Sequence, residues 1–399
     1  MYYNAIFFQL LVLLMLVVIR KSFVFQSLSR TYLIKRFSAC NLHHATASPN
    51  DQEGRKIETH LFSVAPMMEY TDRHLRFLLR LISSKAVLYT EMVAANALVR
   101  SDDKYRFLEA NLGVENPLVM QLGGADPIQL KQAAQIAYHG GYREINLNIG
   151  CPSQKVAGAG CFGAALMREP NLVSELALVV GEVTNTPATI KCRIGVDSLD
   201  SYDALSKFIG LVSRKGKVRH FIVHARKAVL GANFSPAYNR EVPPLKYDFV
   251  YRLVSDFPHL YFTINGGVHT YDDVIEHYKH GVQGVMVGRA IINNPYYWRD
   301  IDRIIYNCEN PKLSRSVILT KYADYANSIE ESQGPKSRRA LLKPVLNLFH
   351  GVPNGRVFRA QLDTLIRRAD MPMSAVIATA SECLDDEILH LIPPQEGLI

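Results

Sequence analysis

The sequence predicts an α/β fold: a (β/α)8 TIM barrel followed by a C-terminal helical-bundle domain. Three observations predict it. Eight short apolar, β-branched runs recur from residue 63 onward, with Gly, Pro, Asn or a charged residue at or near their ends. Amphipathic stretches separate them, a rhythm that builds βαβ units and a parallel sheet. After about Ser314 the strand rhythm stops and apolar residues recur at helical spacing alone.

The eight runs are SVAPM (63–67), AVLYTEM (86–92), PLVMQLG (117–123), EINLNIG (144–150), ATIKCRIG (188–195), HFIVHAR (220–226), YFTINGG (261–267) and GVMVGRA (284–290). Helical patterns such as DPIQLKQAAQIAYHG (126–140) and NLVSELALVVGEVTN (171–185) fill the gaps. Eight such units within about 240 residues suit a closed barrel. The alternative, an open doubly wound sheet, is disfavoured because no G-x-G-x-x-G follows the first strand. The expected barrel spans 60–310. The expected helical domain spans 314–392, through SVILTKYADYANSIEES, ALLKPVLNLFHG and MSAVIATASECLDDEILHLI.

The chain has 399 residues and a net charge of +8, unevenly placed. Residues 1–50 carry Arg20, Lys21, Arg30, Lys35 and Arg36 and no acid. Ala5–Ile19 is almost continuously apolar, and a Ser-rich basic stretch follows it. A signal-like core before a transit-like segment predicts a removable two-part leader, directing the chain to a plastid-type organelle. A mitochondrion or the cytoplasm is the alternative. The mature protein is expected to begin near Asp51, with no stable membrane association. Between 312 and 368 there are eleven Lys and Arg against four acids, whereas 369–399 has six acids and no Lys or Arg. Basic charge therefore gathers on the first helices of the C-terminal domain. The six cysteines form no Cys-x-x-Cys pair and no tight Cys/His cluster, so neither a disulfide framework nor a metal site is expected. Most are expected to be buried small hydrophobes.

The polar residues gather where a barrel builds its active site. Met67, Gln121, Asn148, Cys151, Lys191, Arg193, His224, Arg226, Asn265 and Arg289 all stand at trailing ends of the runs, the C-terminal face of a barrel. One such residue is ordinary turn chemistry; one from nearly every strand points to an enzyme. Asn265-Gly266-Gly267 and Gly288-Arg289 end the last two runs, the usual barrel phosphate site. The two-residue period puts Lys191 and Arg193 on one side of their strand and Cys192 on the other. Lys191, His224 and the glycine loops together suggest a phosphorylated, electron-rich cofactor across the mouth, and flavin mononucleotide (FMN) fits.

The segments APMMEYTDRHLR, MQLGG, NLNIGCPS, KCRIG, VHARKA, INGG and VGRA, in this order, resemble the tRNA-dihydrouridine synthases. HARKAVLGANFSPAYNREVPPLKYD and FHGVPNGRVFRAQL are similar to the DusA-type branch. The resemblance implies an FMN- and NADPH-dependent oxidoreductase, NADH being the alternative reductant, that reduces tRNA D-loop uridines 20 and 20a to 5,6-dihydrouridine. It implies FMN binding by Pro66, Met67, Met68, Gln121, Lys191, His224, Asn265, Gly266, Gly267, Gly288 and Arg289. Hydride would reach C6 of the uracil and Cys151 would give a proton to C5. Asn148, Arg226, Ser235, Arg240, Arg356 and Arg359 would contact tRNA. Residues 157–165, rich in Gly and Ala, are expected to form a loop that closes on substrate. A monomer is expected. The alternatives are another FMN barrel reductase acting on a pyrimidine-like small molecule, which needs no basic helical tail, and an RNA-binding barrel without catalysis, which needs no Cys151.

Overall fold

The computed structural model describes residues 60–153, 162–231, 233–311, 313–368 and 370–392. The proposed leader (1–50), Cys40, Cys161 and most of the expected closing loop lie outside them. All eight expected strands form, in order: β1 (Phe62–Val64), β2 (Leu88–Ala94), β3 (Leu118–Gly123), β4 (Ile145–Ile149), β5 (Thr189–Arg193), β6 (His220–His224), β7 (Tyr261–Asn265) and β8 (Gly284–Val287). Each pairs in parallel with its sequence neighbour from β2 to β8, and β8 pairs with β1. A bridge from Ser63 to Val87 then joins β1 to the start of the β2 segment and closes the barrel. Val64 N–H donates to Val87 O at 2.9 Å, and Val87 N–H to Phe62 O at 3.0 Å.

Helices follow the strands, as the right-handed βαβ crossover requires: α1 (Arg73–Ile82), α2 (Ala95–Arg100), α3 (Pro127–His139), α4 (Pro170–Thr184), α5 (Tyr202–Lys215), α6 (Tyr247–Asp256), α7 (Tyr271–Lys279) and α8 (Arg289–Asn293). Their starts are written locally. Asp72 caps α1 by accepting the amides of His74 and Leu75, Asp126 caps α3 ahead of Pro127, and Thr270 and Asp273 form a capping box on α7. Strand residues facing outward join the helices in one large core. Ala65, Val87, Tyr89, Val119, Ile222 and Met286 fill the barrel axis.

Beyond the barrel come α9 (Arg315–Gln333), α10 (Arg338–Leu342), α11 (Gly355–Leu365), α12 (Met373–Ser381) and α13 (Asp386–His390). Two expected helices are broken. ALLKPVLNLFHG is helical only to Leu342, followed by a short 3-10 turn at Val345–Asn347. Pro344 lacks the N–H and its ring clashes with the preceding turn, so α10 cannot continue. The final stretch splits into α12 and α13 around Cys383–Asp385. Acidic Asp386 and Glu387 then sit in the first turn of α13, where the helix dipole favours them. These helices and the barrel belong to one compact unit. Tyr325 of α9 stacks on Phe77 of α1 with ring centroids 4.0 Å apart, and its hydroxyl meets His74 Nδ1 at 2.8 Å. Asn347 donates to Ile292 O, which ties the helices to α8 as well. Among the described residues, no helix is long and apolar enough to cross a membrane.

Candidate active site

The mouth is organised by a chain of amide side chains along neighbouring strands. Thr189, Asn146 and Gln121 face the barrel axis by the two-residue period of β5, β4 and β3. Asn146 Nδ2 donates to Thr189 Oγ1 at 3.0 Å, and Gln121 Nε2 to Asn146 Oδ1 at 2.8 Å. Asn148 Nδ2 donates in turn to Gln121 Oε1 at 2.8 Å. Asn148 Oδ1 accepts the backbone N–H of Gly150 (3.1 Å) and of Cys151 (2.9 Å). The turn after β4 is thus capped by its own asparagine, whose orientation is fixed by two strands of buried amides. This capping holds the thiol in place at the strand end.

Arg193 braces the same turn from the other side. Its side chain is buried. Nε donates to Gly150 O at 3.0 Å, and Nη1 to Lys227 O at 2.8 Å and Asn239 O at 2.9 Å. One guanidinium therefore binds the cysteine turn, the β6 loop and the short helix at Tyr238–Glu241. Burial pushes the Cys151 thiol up, while a backbone N–H near Ser153 and the charges of Arg193, Lys191 and Arg240 pull it down. The net direction is upward, so the thiol keeps its proton at neutral pH. Cys192, on the opposite face of β5 as expected, is fully buried and pushed up to about 12. It is the one described cysteine that is buried; Cys151, Cys308 and Cys383 are partly exposed, so the expectation of mostly buried thiols is corrected. Cys308 and Cys383 lie in short connections rather than in strands, where burial is less complete.

Lys191 and Asn265 meet across the barrel. Lys191 Nζ donates to Asn265 Oδ1 at 3.0 Å, and Asn265 Nδ2 donates to Met286 O at 2.8 Å. Burial, then the Arg193 charge, lowers the lysine to about 8. His224 is held well below its usual range, first by burial and then by Arg193, Lys191, Arg226 and Arg289. It is neutral at physiological pH. Gly266 and Gly267 have φ of 108° and 72°. A Cβ on Gly266 would stand 2.5 Å from His224 Cδ2, and one on Gly267 would stand 2.5 Å from the Tyr247 hydroxyl. Only glycine serves at both positions. Tyr247 anchors the turn by donating to Gly266 O at 2.9 Å.

The remaining expected residues lie around this centre. Pro66, Met67 and Met68 follow β1; Met67 O accepts the amides of Tyr70 and Thr71, Met67 packs on the axial cluster, and Met68 is exposed. Gly288 opens towards Met67, whose sulfur would be 3.5 Å from an added Cβ. Arg289 is exposed and pairs with Glu241 at 3.1 Å. Arg226 donates to the carbonyls of Pro243 and Glu241. Ser235 accepts the Tyr238 amide at 3.1 Å, and Arg240 is exposed nearby. Arg356 and Arg359 lie three residues apart on one side of α11, Arg356 exposed and Arg359 half-buried, while Phe358 and Leu362 are buried. Sequence reasoning gave no part to Asn146, Thr189, Asn239 or Tyr247. Strand alternation carried a signal for the first two; the others depend on a loop packing over the mouth.

The residues present fit a flavin mononucleotide. The twin-glycine turn leaves its backbone bare, and a half-buried amine beside a neutral imidazole suits an electron-rich ring. A closed parallel barrel whose strand ends carry a braced thiol, a desolvated lysine and this turn is an enzyme of the parallel-barrel class. The particular family follows from comparison. The family model described as dihydrouridine synthase (Dus) matches residues 63–385. A Salmonella typhi protein named tRNA-dihydrouridine(20/20a) synthase is 39% identical over 337 residues, 84% of this chain and 99% of that protein. A Pseudomonas putida protein of the same name is 42% identical, covering 81% of this chain and 94% of its own. One from Escherichia coli K12 is 42% identical, over 77% and 87% respectively. The chain belongs to the dihydrouridine synthase family.

Proposed function

We propose that this chain reduces tRNA D-loop uridines, at positions 20 and 20a, to 5,6-dihydrouridine. The observation that carries the reading is the Cys151 thiol, fixed on a braced turn at the same barrel mouth as Lys191, His224 and the Gly266-Gly267 turn. Relatives of matching length are named for that reaction. FMN is the expected flavin and NADPH its expected reductant; when bound, the reduced flavin supplies hydride to C6 of the uracil. Cys151 delivers the proton to C5, a role that needs a group still protonated at working pH. Lys191, with Asn265 holding its amine, places positive charge beside the electron-rich ring. Asn148 and Arg193 fix the height and direction of the thiol. The Gly266-Gly267 turn and Gly288-Arg289 would hold the phosphate. Arg226, Ser235, Arg240, Arg356 and Arg359 would engage the RNA, and the target base must leave its stack to reach the mouth. The two-part leader supports delivery to a plastid-type organelle, which imaging of a leader fusion tests.

The test is to map dihydrouridine in tRNA treated with the purified, flavin-loaded chain. We expect positions 20 and 20a to be reduced. Cys151→Ala should retain its yellow flavin but lose roughly 10²- to 10⁴-fold in rate, the usual contribution of a positioned acid. Unchanged reduction by that variant would remove Cys151 from the reaction, and a colourless wild type that flavin cannot reconstitute would remove the redox reading altogether.

A further inference from the structure

The opposite end of the barrel holds a second group of chemistry-bearing side chains that the proposed reaction does not use. His60 precedes β1, Glu144 precedes β4 and His220 opens β6. All three lie at the N-terminal ends of their strands, away from the mouth, and all three are buried. His60 Nε2 and Glu144 Oε2 are 3.0 Å apart. The rings of His60 and His220 meet edge to face with centroids 5.0 Å apart. One ligand atom from each of the three residues lies within 4.8 Å of the others.

From this arrangement we propose that His60, Glu144 and His220 form a structural site for a divalent transition-metal cation of the zinc type. Two imidazoles and a carboxylate are a recurrent zinc ligand set. Three atoms within 4.8 Å of one another stand no more than about 2.8 Å from a common centre, so closing by less than an ångström gives the usual zinc distances of about 2.0–2.2 Å. His220 Nε2 already meets Thr263 Oγ1 at 2.8 Å, the kind of partner that orients a ligating imidazole and leaves its other nitrogen for the ion. His60 Nδ1 is a buried nitrogen with no hydrogen-bond partner among the described residues. A buried polar atom in that condition is costly unless something else engages it. The surroundings are shaped for close approach: a Cβ on Gly284 would stand 2.4 Å from Thr263 Oγ1 and 2.5 Å from His60 O. Glycine at 284 is what lets the segment before β1 come down onto the barrel floor. An ion there links three segments that are far apart in sequence, which makes it a clamp on barrel closure. Side chains tied together at this end of a barrel serve stability rather than turnover. Cysteine spacing does not bear on such a site, because no cysteine takes part.

The experiment uses the full chain, stripped with a chelator and titrated with Zn²⁺ alone, and separately with Co²⁺ as an optical probe. One tightly bound equivalent is expected, with the visible absorption of low-symmetry Co²⁺ and a raised Tm. His60→Asn and His220→Asn should each weaken Zn²⁺ binding at least about 100-fold, beyond the loss usual for a supporting residue. Glu144→Gln keeps the side chain's shape while removing its charge and should weaken binding at least tenfold. Its flavin content and tRNA reduction should remain those of the wild type when metal is in excess. The proposal is overturned if the wild-type chain binds no stoichiometric Zn²⁺. It is equally overturned if a folded, yellow Glu144→Gln protein binds as tightly as the wild type, as histidines elsewhere (His43 and His44, for instance) would produce.

Discussion

The two ends of this barrel use similar side chains to opposite effect. At the mouth, Lys191, His224, Asn148 and Cys151 are each tied to a neighbouring strand or loop yet remain partly exposed. At the floor, His60, Glu144 and His220 are buried and face one another. The difference follows from what closes each end. At the mouth the twin-glycine turn leaves bare backbone beside His224 and Tyr247, whereas at the floor the His60 carbonyl stands close against Gly284. Polar groups kept open to a ligand can be tuned for chemistry; polar groups sealed together must satisfy each other or an ion.

The strongest way to break that contrast is to fill the mouth's backbone cradle. Gly266→Ala puts a methyl 2.5 Å from His224 at a φ of 108°. The left-handed backbone alone costs about 1–2 kcal/mol for a non-glycine residue, and His224 must also move. We expect flavin content to fall at least tenfold while the chain stays folded, read as bound flavin absorbance beside circular dichroism. Full flavin occupancy in the variant would mean that this turn does not contact the cofactor.

A second test separates the mouth from the helices beyond it. Arg356→Ala with Arg359→Ala removes two charges, one exposed and one half-buried, from α11 without touching Phe358 or Leu362. Each phosphate contact contributes about 0.7–0.9 to the slope of log affinity against log salt. The double variant should bind tRNA more weakly and flatten that slope by about 1.5, with flavin content unchanged. Loss of flavin instead would show that α11 supports the barrel rather than the RNA.

What the sequence made legible follows the same division. The eight strands were readable because period-two alternation and turn residues act locally, and the expected ends differ from those observed by a few residues at most. Lys191, Asn265 and Cys151 were readable because they stand at strand ends beside glycines. The role of Asn148 was only half legible. Its resemblance to a nucleotide contact says nothing of its two backbone acceptances at Gly150 and Cys151, which depend on Gln121 in the next strand. The floor could not be read at all, since 84 residues separate His60 from Glu144 and only barrel closure brings them together. In the C-terminal helices, apolar periodicity ran on through Pro344 and hid the break that the proline ring imposes.

The smallest effect concerns the junction between barrel and helices, which belongs to neither end. His74 of α1 is buried against Tyr325 of α9, and burial followed by the charges of Arg73 and Arg76 lowers it to about 4. In the unfolded chain it titrates near the ordinary histidine value of 6.5. Between those values the unfolded chain takes up a proton that the folded chain refuses, so stability must fall as pH drops from 6.5 towards 4 and is insensitive to this group above 6.5. The slope is on the order of 1 kcal/mol per pH unit. His74→Gln keeps an amide within reach of the Tyr325 hydroxyl and removes the titration. Its Tm should decline less steeply than the wild type's from pH 6.5 to 5, with the two curves parallel above pH 7. If the acid limbs stay parallel as well, the acid sensitivity lies elsewhere, and His277, lowered to about 4 by its own burial beside Tyr251, is the next group to replace.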